Sequence, residues 1–137
     1  MFIPDTRLTM FDHVKLSQIS CGRYHTLFLT ADGEVYSCGL NSLGQLGLGK
    51  LRTNDTATAS NLVALDIKNC VYQPKKIEAL NGKRITKISA WTNSACLSVE
   101  GDLYLWGSGI FGDFEEPKKI DLQSMLQSEE EIRIQNV

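Results

Sequence analysis

Residues 19–49 read ISCGRYHTLFLTADGEVYSCGLNSLGQLGLG, and this stretch decides the fold because much of it occurs a second time. Residues 88–107 read ISAWTNSACLSVEGDLYLWG. The two align with one gap, placed near Ala31. Ile19-Ser20 then matches Ile88-Ser89, Asp32-Gly33 matches Glu100-Gly101, Val35-Tyr36 matches Leu103-Tyr104, and Cys38-Gly39 matches Trp106-Gly107. Gly44 and Gly112 extend the match, and the tetrapeptide Pro-Lys-Lys-Ile recurs at 74–77 and 117–120. A repeat of this size is a supersecondary unit that buries its apolar surface only by stacking on its neighbours.

Each unit carries the chemistry of strands joined by tight turns. Ala31-Asp32-Gly33 and Glu100-Gly101-Asp102 separate short runs rich in leucine, aromatic and β-branched residues. Such X-Gly dipeptides close hairpins, since glycine accepts positive φ without steric cost. Residues 25–30 therefore pair with 34–38, and residues 94–99 with 102–106. The segments 14–20 and 85–90 add a strand before each hairpin, and a fourth is expected after each Pro-Lys-Lys-Ile. Four strands per unit, at a base period of about 45–50 residues, is the pattern of a propeller blade. The expected architecture is an all-β, partial β-propeller: two four-stranded blades plus the start of a third, where Ile132-Arg-Ile-Gln-Asn-Val137 resembles residues 85–90. The divisions are a lead-in at 1–13 and a first repeat at 14–84 with a long insertion at about 50–73. A divergent second repeat follows at 85–121, then a linker and strand at 122–137. Two blades leave sheet faces open to water, so neighbouring blades are needed from the same longer chain or from other chains.

Composition bounds the function. The chain has 137 residues, 42% hydrophobic and 22% charged, with a formal net charge of -2. That length is close to one domain. It contains no apolar run long enough for a membrane span, and Pro4, Asp5 and Asp12 interrupt the stretch a signal peptide would need. Neither membrane insertion nor secretion is expected. The near-zero charge argues against a dedicated nucleic-acid binder. Four cysteines without a Cys-x-x-Cys pair, and two histidines, give no zinc pattern and suit reduced thiols in the cytosol or nucleus. No cofactor is expected.

Five features invite a chemical reading. Gly107-Ser-Gly109-Ile-Phe-Gly112 satisfies G-x-G-x-x-G, but Asp113-Phe-Glu-Glu-Pro117 follows in place of a helix, so these are read as turn glycines. His25 has no nucleophile motif beside it and is read as structural. Tyr36, Tyr104 and Trp106 fall at strand ends where rings fill space between sheets. Trp91 stands at a turn position held by Gly22 in the first unit, so it is the aromatic residue expected to project outward. Lys75-Lys76 and Lys118-Lys119 are equivalent pairs, read as a self-neutralised rim beside nearby carboxylates. The insertion begins polar and ends apolar. Loops of that length are functional or disordered, and Arg52, Asn54, Asp55 and Asp66 are its candidate partner contacts, with Trp91. Residues 121–129 are expected to form one short helix linking blades.

The run Gly22-Arg-Tyr-His25-Thr, Asp32-Gly33-Glu-Val-Tyr36, Cys38-Gly39-Leu-Asn41 and Gly44-Gln-Leu-Gly47-Leu-Gly49 resembles the repeat of the regulator of chromosome condensation family, over about residues 14–121. The second unit departs from that pattern. Trp91 replaces Gly22, Ser94 replaces His25, and Gly112-Asp-Phe-Glu115 stands where Gly44-Gln-Leu-Gly47 would be. The structural repeat positions are Gly22, His25, Gly33, Gly39, Gly44, Gly47, Gly101, Gly107 and Gly112. The resemblance implies a propeller used as a rigid platform for protein partners. Similar members serve as guanine-nucleotide exchange factors, chromatin-bound proteins, parts of ubiquitin ligases or kinases, and in ciliary assemblies, so the fold alone leaves the function open. The leading expectation is a non-catalytic interaction module in a larger assembly. The alternatives are an exchange factor for a small GTPase, acting through the insertion with Asp55 or Asp66, and a chromatin-associated regulator.

Overall fold

A computed structural model describes residues 9–49, 69–109, 112–121 and 123. Two four-stranded antiparallel sheets stand side by side, with strand orders β1-β2-β3-β4 and β5-β6-β7-β8. The first holds β1 (Leu16–Cys21), β2 (His25–Thr30), β3 (Val35–Leu40) and β4 (Cys70–Lys76). The second holds β5 (Ile85–Ala90), β6 (Ser94–Ser98), β7 (Leu103–Gly109) and β8 (Gly112–Ile120). This is the all-β partial propeller expected from the repeat. The expected insertion up to residue 68, most of the 121–129 helix and the strand at 132–137 lie outside the described residues.

The two units superpose in detail. In each, the hairpin turns on a glycine, Gly33 or Gly101, at φ 88°. A hydroxyl closes each turn: Glu34 N–H donates to Thr30 Oγ1 at 3.0 Å, and Asp102 N–H to Ser98 Oγ at 3.1 Å. Both sheets carry irregularities at matching positions, Leu16/Gln18 with Ile85/Lys87, and Ser37/Gly39 with Leu105/Gly107. The equivalence reaches back to residue 9, because the 3-10 turn Thr9–Phe11 leads into β1 as Glu78–Leu80 leads into β5.

Two sequence expectations are corrected. First, the gap is not near Ala31. Thr26 pairs with Cys21 and Cys38, as Ser94 pairs with Ala90 and Trp106, so Ser94 corresponds to Thr26. The missing residue lies in the turn between β5 and β6, which is one shorter than the turn between β1 and β2. Asn93 therefore stands where His25 stands in the first unit, its carbonyl accepting from Trp91 N–H as that of His25 accepts from Gly22 N–H. Second, the fourth strands contain Pro-Lys-Lys rather than follow it, and residues 70–73, read with the insertion, belong to β4. Both β4 and β8 are edge strands, where a proline forgoes no ladder bond it needs.

The core is the seam between the sheets. Leu27, Leu29, Val35 and Ile77 of the first unit meet Ile85, Ile88, Cys96, Tyr104 and Trp106, with Leu80 between them. Alternation along each strand puts these residues on one face. The seam also has polar ties. The Gln18 amide donates from Nε2 to Ile88 O at 2.9 Å and accepts the Ile88 N–H at 3.0 Å, while Ala90 N–H donates to Ser20 Oγ at 2.9 Å.

Candidate protein-interaction face

Antiparallel order places the β1–β2 turn, the β3–β4 connection and the β5–β6 turn at one end of the molecule. Backbone bonds join them there. Arg23 N–H donates to Trp91 O at 2.8 Å, and Trp91 N–H donates to Asn93 O at 2.9 Å. Gly22 fits against this clamp because it has no side chain: a β-carbon there would collide with Trp91 O and lie 2.5 Å from His25 Cε1. The Trp91 backbone is thus held on both sides while its ring is 74% exposed. Tyr24, 56% exposed, occupies the neighbouring turn with the Arg23 guanidinium 5.3 Å from its ring centroid. Leu43 adds an exposed side chain on the connection that follows β3.

That connection leaves and returns at the same end. Leu40 pairs with Cys70, and Asn41 N–H donates to Asn69 O at 2.7 Å. Arg52, Asn54, Asp55 and Asp66 lie outside the described residues, on the segment between those two points. Of the expected contact residues, the structure describes Trp91. Tyr24 and Arg23 share that end with it and were not among the expected contacts. The available signal was an aromatic beside a cation inside a glycine-led turn.

Beneath this surface a polar relay crosses the seam. Ser94 Oγ donates to Gln45 O at 2.7 Å, and Trp106 Nε1–H donates to the same carbonyl at 2.9 Å. The serine proton is thereby committed, so at 2.7 Å the His25 Nε2–H must donate to Ser94 Oγ. His25 Nδ1 is buried without a partner. Burial lowers the His25 pKa and keeps the ring neutral. Its only proton faces a serine whose own proton is taken, which is the arrangement of a latch and not of a base with its nucleophile. Gly47, at φ 71°, lies under the Trp106 indole; a β-carbon there would sit 2.7 Å from Nε1. Gly33, Gly39, Gly44, Gly47, Gly101, Gly107 and Gly112 all have positive φ, so these repeat positions hold turns and close approaches. Cys96 packs in the seam, where burial pushes its thiol up to about 12 and leaves it unreactive.

The remaining features are accounted for locally. Gly107 and Gly109 lie in β7 and Gly112 opens β8, so a strand follows where a dinucleotide loop would open a helix. An open groove of about 730 Å³ runs beside β8, where Asp113, Glu115 and Glu116 outnumber the single cation Lys118, and that net acidic lining disfavours phosphate. Lys76 pairs with Glu34 at 3.2 Å and Lys119 with Asp102 at 3.4 Å, the same cross-strand pair in each unit. No group of three metal-ligating side chains exists among the described residues, and no helix among them is long and apolar enough to cross a membrane.

Comparison with known proteins agrees with this geometry. Residues 16–45 and 32–96 each match a sequence model described as Regulator of chromosome condensation (RCC1) repeat. The chain is 39% identical to the ultraviolet-B receptor UVR8 of Arabidopsis thaliana over 101 residues, covering 73% of this chain and 19% of that protein. It is 32% identical to the mouse RCC1 domain-containing protein 1, covering 85% of this chain and 27% of the relative. The crystal structure of human WBSCR16 matches with a TM-score of 0.61 at 26% identity, over 77% of this chain and 25% of that one. Prp20p from Saccharomyces cerevisiae matches in fold with a TM-score of 0.64 at 22% identity, over 90% of this chain and 28% of that one. The chain thus spans roughly a quarter or less of these relatives. Two sheets with matching turns, bulges and glycines, and sequence matches that together run from residue 16 to residue 96, make this chain a member of the regulator of chromosome condensation repeat family.

Proposed function

We propose that the chain is a non-catalytic protein-interaction module, with its partner face at the end that carries Trp91, Tyr24 and Arg23. The observation that carries this reading is the Trp91 ring, 74% exposed on a backbone clamped at both its N–H and its carbonyl. A large apolar ring presented from a fixed backbone suits an interface anchor, because no backbone ordering is left to be done when it is covered. The protein works in an intracellular setting, a reading supported by four cysteines that form no disulfide.

Proximity labelling in cells, comparing the natural chain with Trp91→Ala and Tyr24→Ala variants, tests the assignment. Trp91→Ala should weaken a specific partner by about 30-fold, the scale of a hot-spot truncation, with the melting temperature unchanged. An interactor set identical for all three proteins would remove this face from consideration.

A second reading is guanine-nucleotide exchange on a small GTPase. Its support is that Asn41 and Asn69, which bracket the segment containing Asp55 and Asp66, meet at the same end as Trp91. The structural neighbour Prp20p is described by its binding to Gsp1p and histones. Nucleotide release from a panel of small GTPases, measured with and without the chain, separates the readings; acceleration that disappears in an Asp55→Ala, Asp66→Ala variant favours exchange. A chromatin role for these residues requires strongly salt-dependent DNA affinity, against their net charge of -2.

A further inference from the structure

We infer that Asn81-Gly82, in the turn that leads from Leu80 into β5, is a spontaneous modification site: Asn81 loses its amide to its own backbone, and the isoaspartate that results loosens the seam. Asparagine followed by glycine occurs once in the chain, and asparagine is a thermolabile residue.

Backbone geometry sets this pair apart. Asn81 at φ -59° and ψ 136°, Gly82 at φ 80° and the bond from Lys83 N–H to Leu80 O at 3.0 Å make a type II turn. Such a turn engages only its last N–H, and among the described residues Gly82 N–H has no backbone acceptor. Residues 81–84 are exposed, and a β-carbon at Gly82 would meet nothing within 4 Å. The Asn81–Gly82 peptide is therefore free to swing and bring the Gly82 nitrogen onto Asn81 Cγ. Asp32-Gly33, in the first hairpin, is the contrast. Gly33 N–H donates to Thr30 O at 3.0 Å, and a β-carbon there would lie 2.7 Å from Arg84 Cγ, so the nitrogen is spent and the peptide is wedged. Of the other described asparagines, Asn41 is fixed by the Leu46 N–H on its Oδ1, while Asn69 and Asn93 precede strand residues.

The Gly82 nitrogen gives up its proton and bonds to Asn81 Cγ. The Cγ–Nδ2 bond breaks, and Nδ2 takes a proton and leaves as ammonia. Water then opens the cyclic imide. Attack at the backbone carbonyl leaves isoaspartate, with a methylene added to the main chain; attack at the side-chain carbonyl leaves aspartate.

Both products are felt at the seam. Asn81 Nδ2 donates to a Glu78 carboxylate oxygen, so a carboxylate in place of the amide faces a like charge. The lengthened main chain runs between two core residues, Leu80, 4% exposed, and Ile85, 3% exposed. It also feeds the ties at this end: Ile85 N–H donates to Gly33 O at 3.0 Å, and Val99 N–H donates to Arg84 O at 2.7 Å. An added methylene puts Leu80 out of step with that stitched pair. The joint between the sheets thereby carries a record of the molecule's age.

Ageing the full chain in neutral buffer at physiological temperature tests this. Peptide mapping by mass spectrometry reads amide loss at each asparagine, and an isoaspartyl methyltransferase with labelled S-adenosylmethionine reads isoaspartate. Asn81 should convert faster than any other asparagine, and the aged chain should melt below the fresh one. Asn81→Gln keeps an amide in the turn but has a larger ring to close; aged alongside, it should take up little label and hold its melting temperature. An Asn81 amide that survives in the folded chain while the urea-unfolded chain loses it overturns the proposal, because the fold then protects the turn. So does conversion at Asn81 that leaves the melting temperature unmoved, or equal label on the natural and Asn81→Gln chains. Should Asn81→Gln fail to fold, the peptide map and melting temperature of the natural chain decide.

Discussion

His25 is the residue whose chemistry is most exposed to a change of conditions. It is neutral in the folded protein, with Nε2–H spent on Ser94 and Nδ1 buried without a partner. Burial depresses its proton affinity below the ordinary value of 6.5, which the unfolded chain retains. The unfolded state therefore binds the proton more tightly, and stability present above pH 6.5 is lost as pH falls towards the folded pKa. Urea unfolding from about pH 8 down to about pH 5 should show this loss, with a slope from this group no steeper than about 1.4 kcal/mol per pH unit. His25→Gln should be less stable at neutral pH and should flatten that slope; an unchanged slope would place the titration elsewhere. The sequence announced His25 as structural, because it sits in a glycine-led turn with no nucleophile motif. Its partner could not be read there, since Ser94 meets it only after two sheets have stacked.

At the scale of the element, the strands were legible and their register less so. Alternating apolar residues bounded by Asp32-Gly33 and Glu100-Gly101 marked both hairpins correctly. A gap near Ala31 sets Ser94 opposite His25, and a one-residue slip in a short run leaves no local trace. The ladder partners of Thr26 and Ser94, with the hydroxyl bonds of Thr30 and Ser98 in the turns, fix the equivalence. Pro74 and Pro117 delayed the expected fourth strand for a related reason: proline reads as a breaker unless the strand is known to lie at an edge. The ties between β1 and β5 were invisible in the sequence for want of any motif. Gln18 carries two of them, and Gln18→Ala should cost about 1–3 kcal/mol, measured by chemical denaturation, since it leaves the Ile88 N–H and C=O without partners. A change within a few tenths would mean that water replaces the amide.

For the molecule as a whole, the seam is the shared core and makes the two sheets one cooperative unit. Trp106 is 1% exposed and spans it, packing in the core while its indole N–H reaches the first unit's Gln45 carbonyl. Trp106→Ala should cost about 3–5 kcal/mol, the range for deleting a buried large aromatic. Hydrogen exchange should then show amides of both sheets losing protection together; loss confined to β5–β8 would mean that each sheet holds itself. The Gln45 loop has one more implication. It belongs to the first unit, but the side chains that hang from its carbonyl, Ser94 and Trp106, belong to the second. Support passes in one direction along the chain, as in roof tiles laid so that each overlaps the one below. Truncation from the amino terminus strips cover from the unit that survives it, whereas truncation from the carboxyl terminus leaves the preceding loop intact.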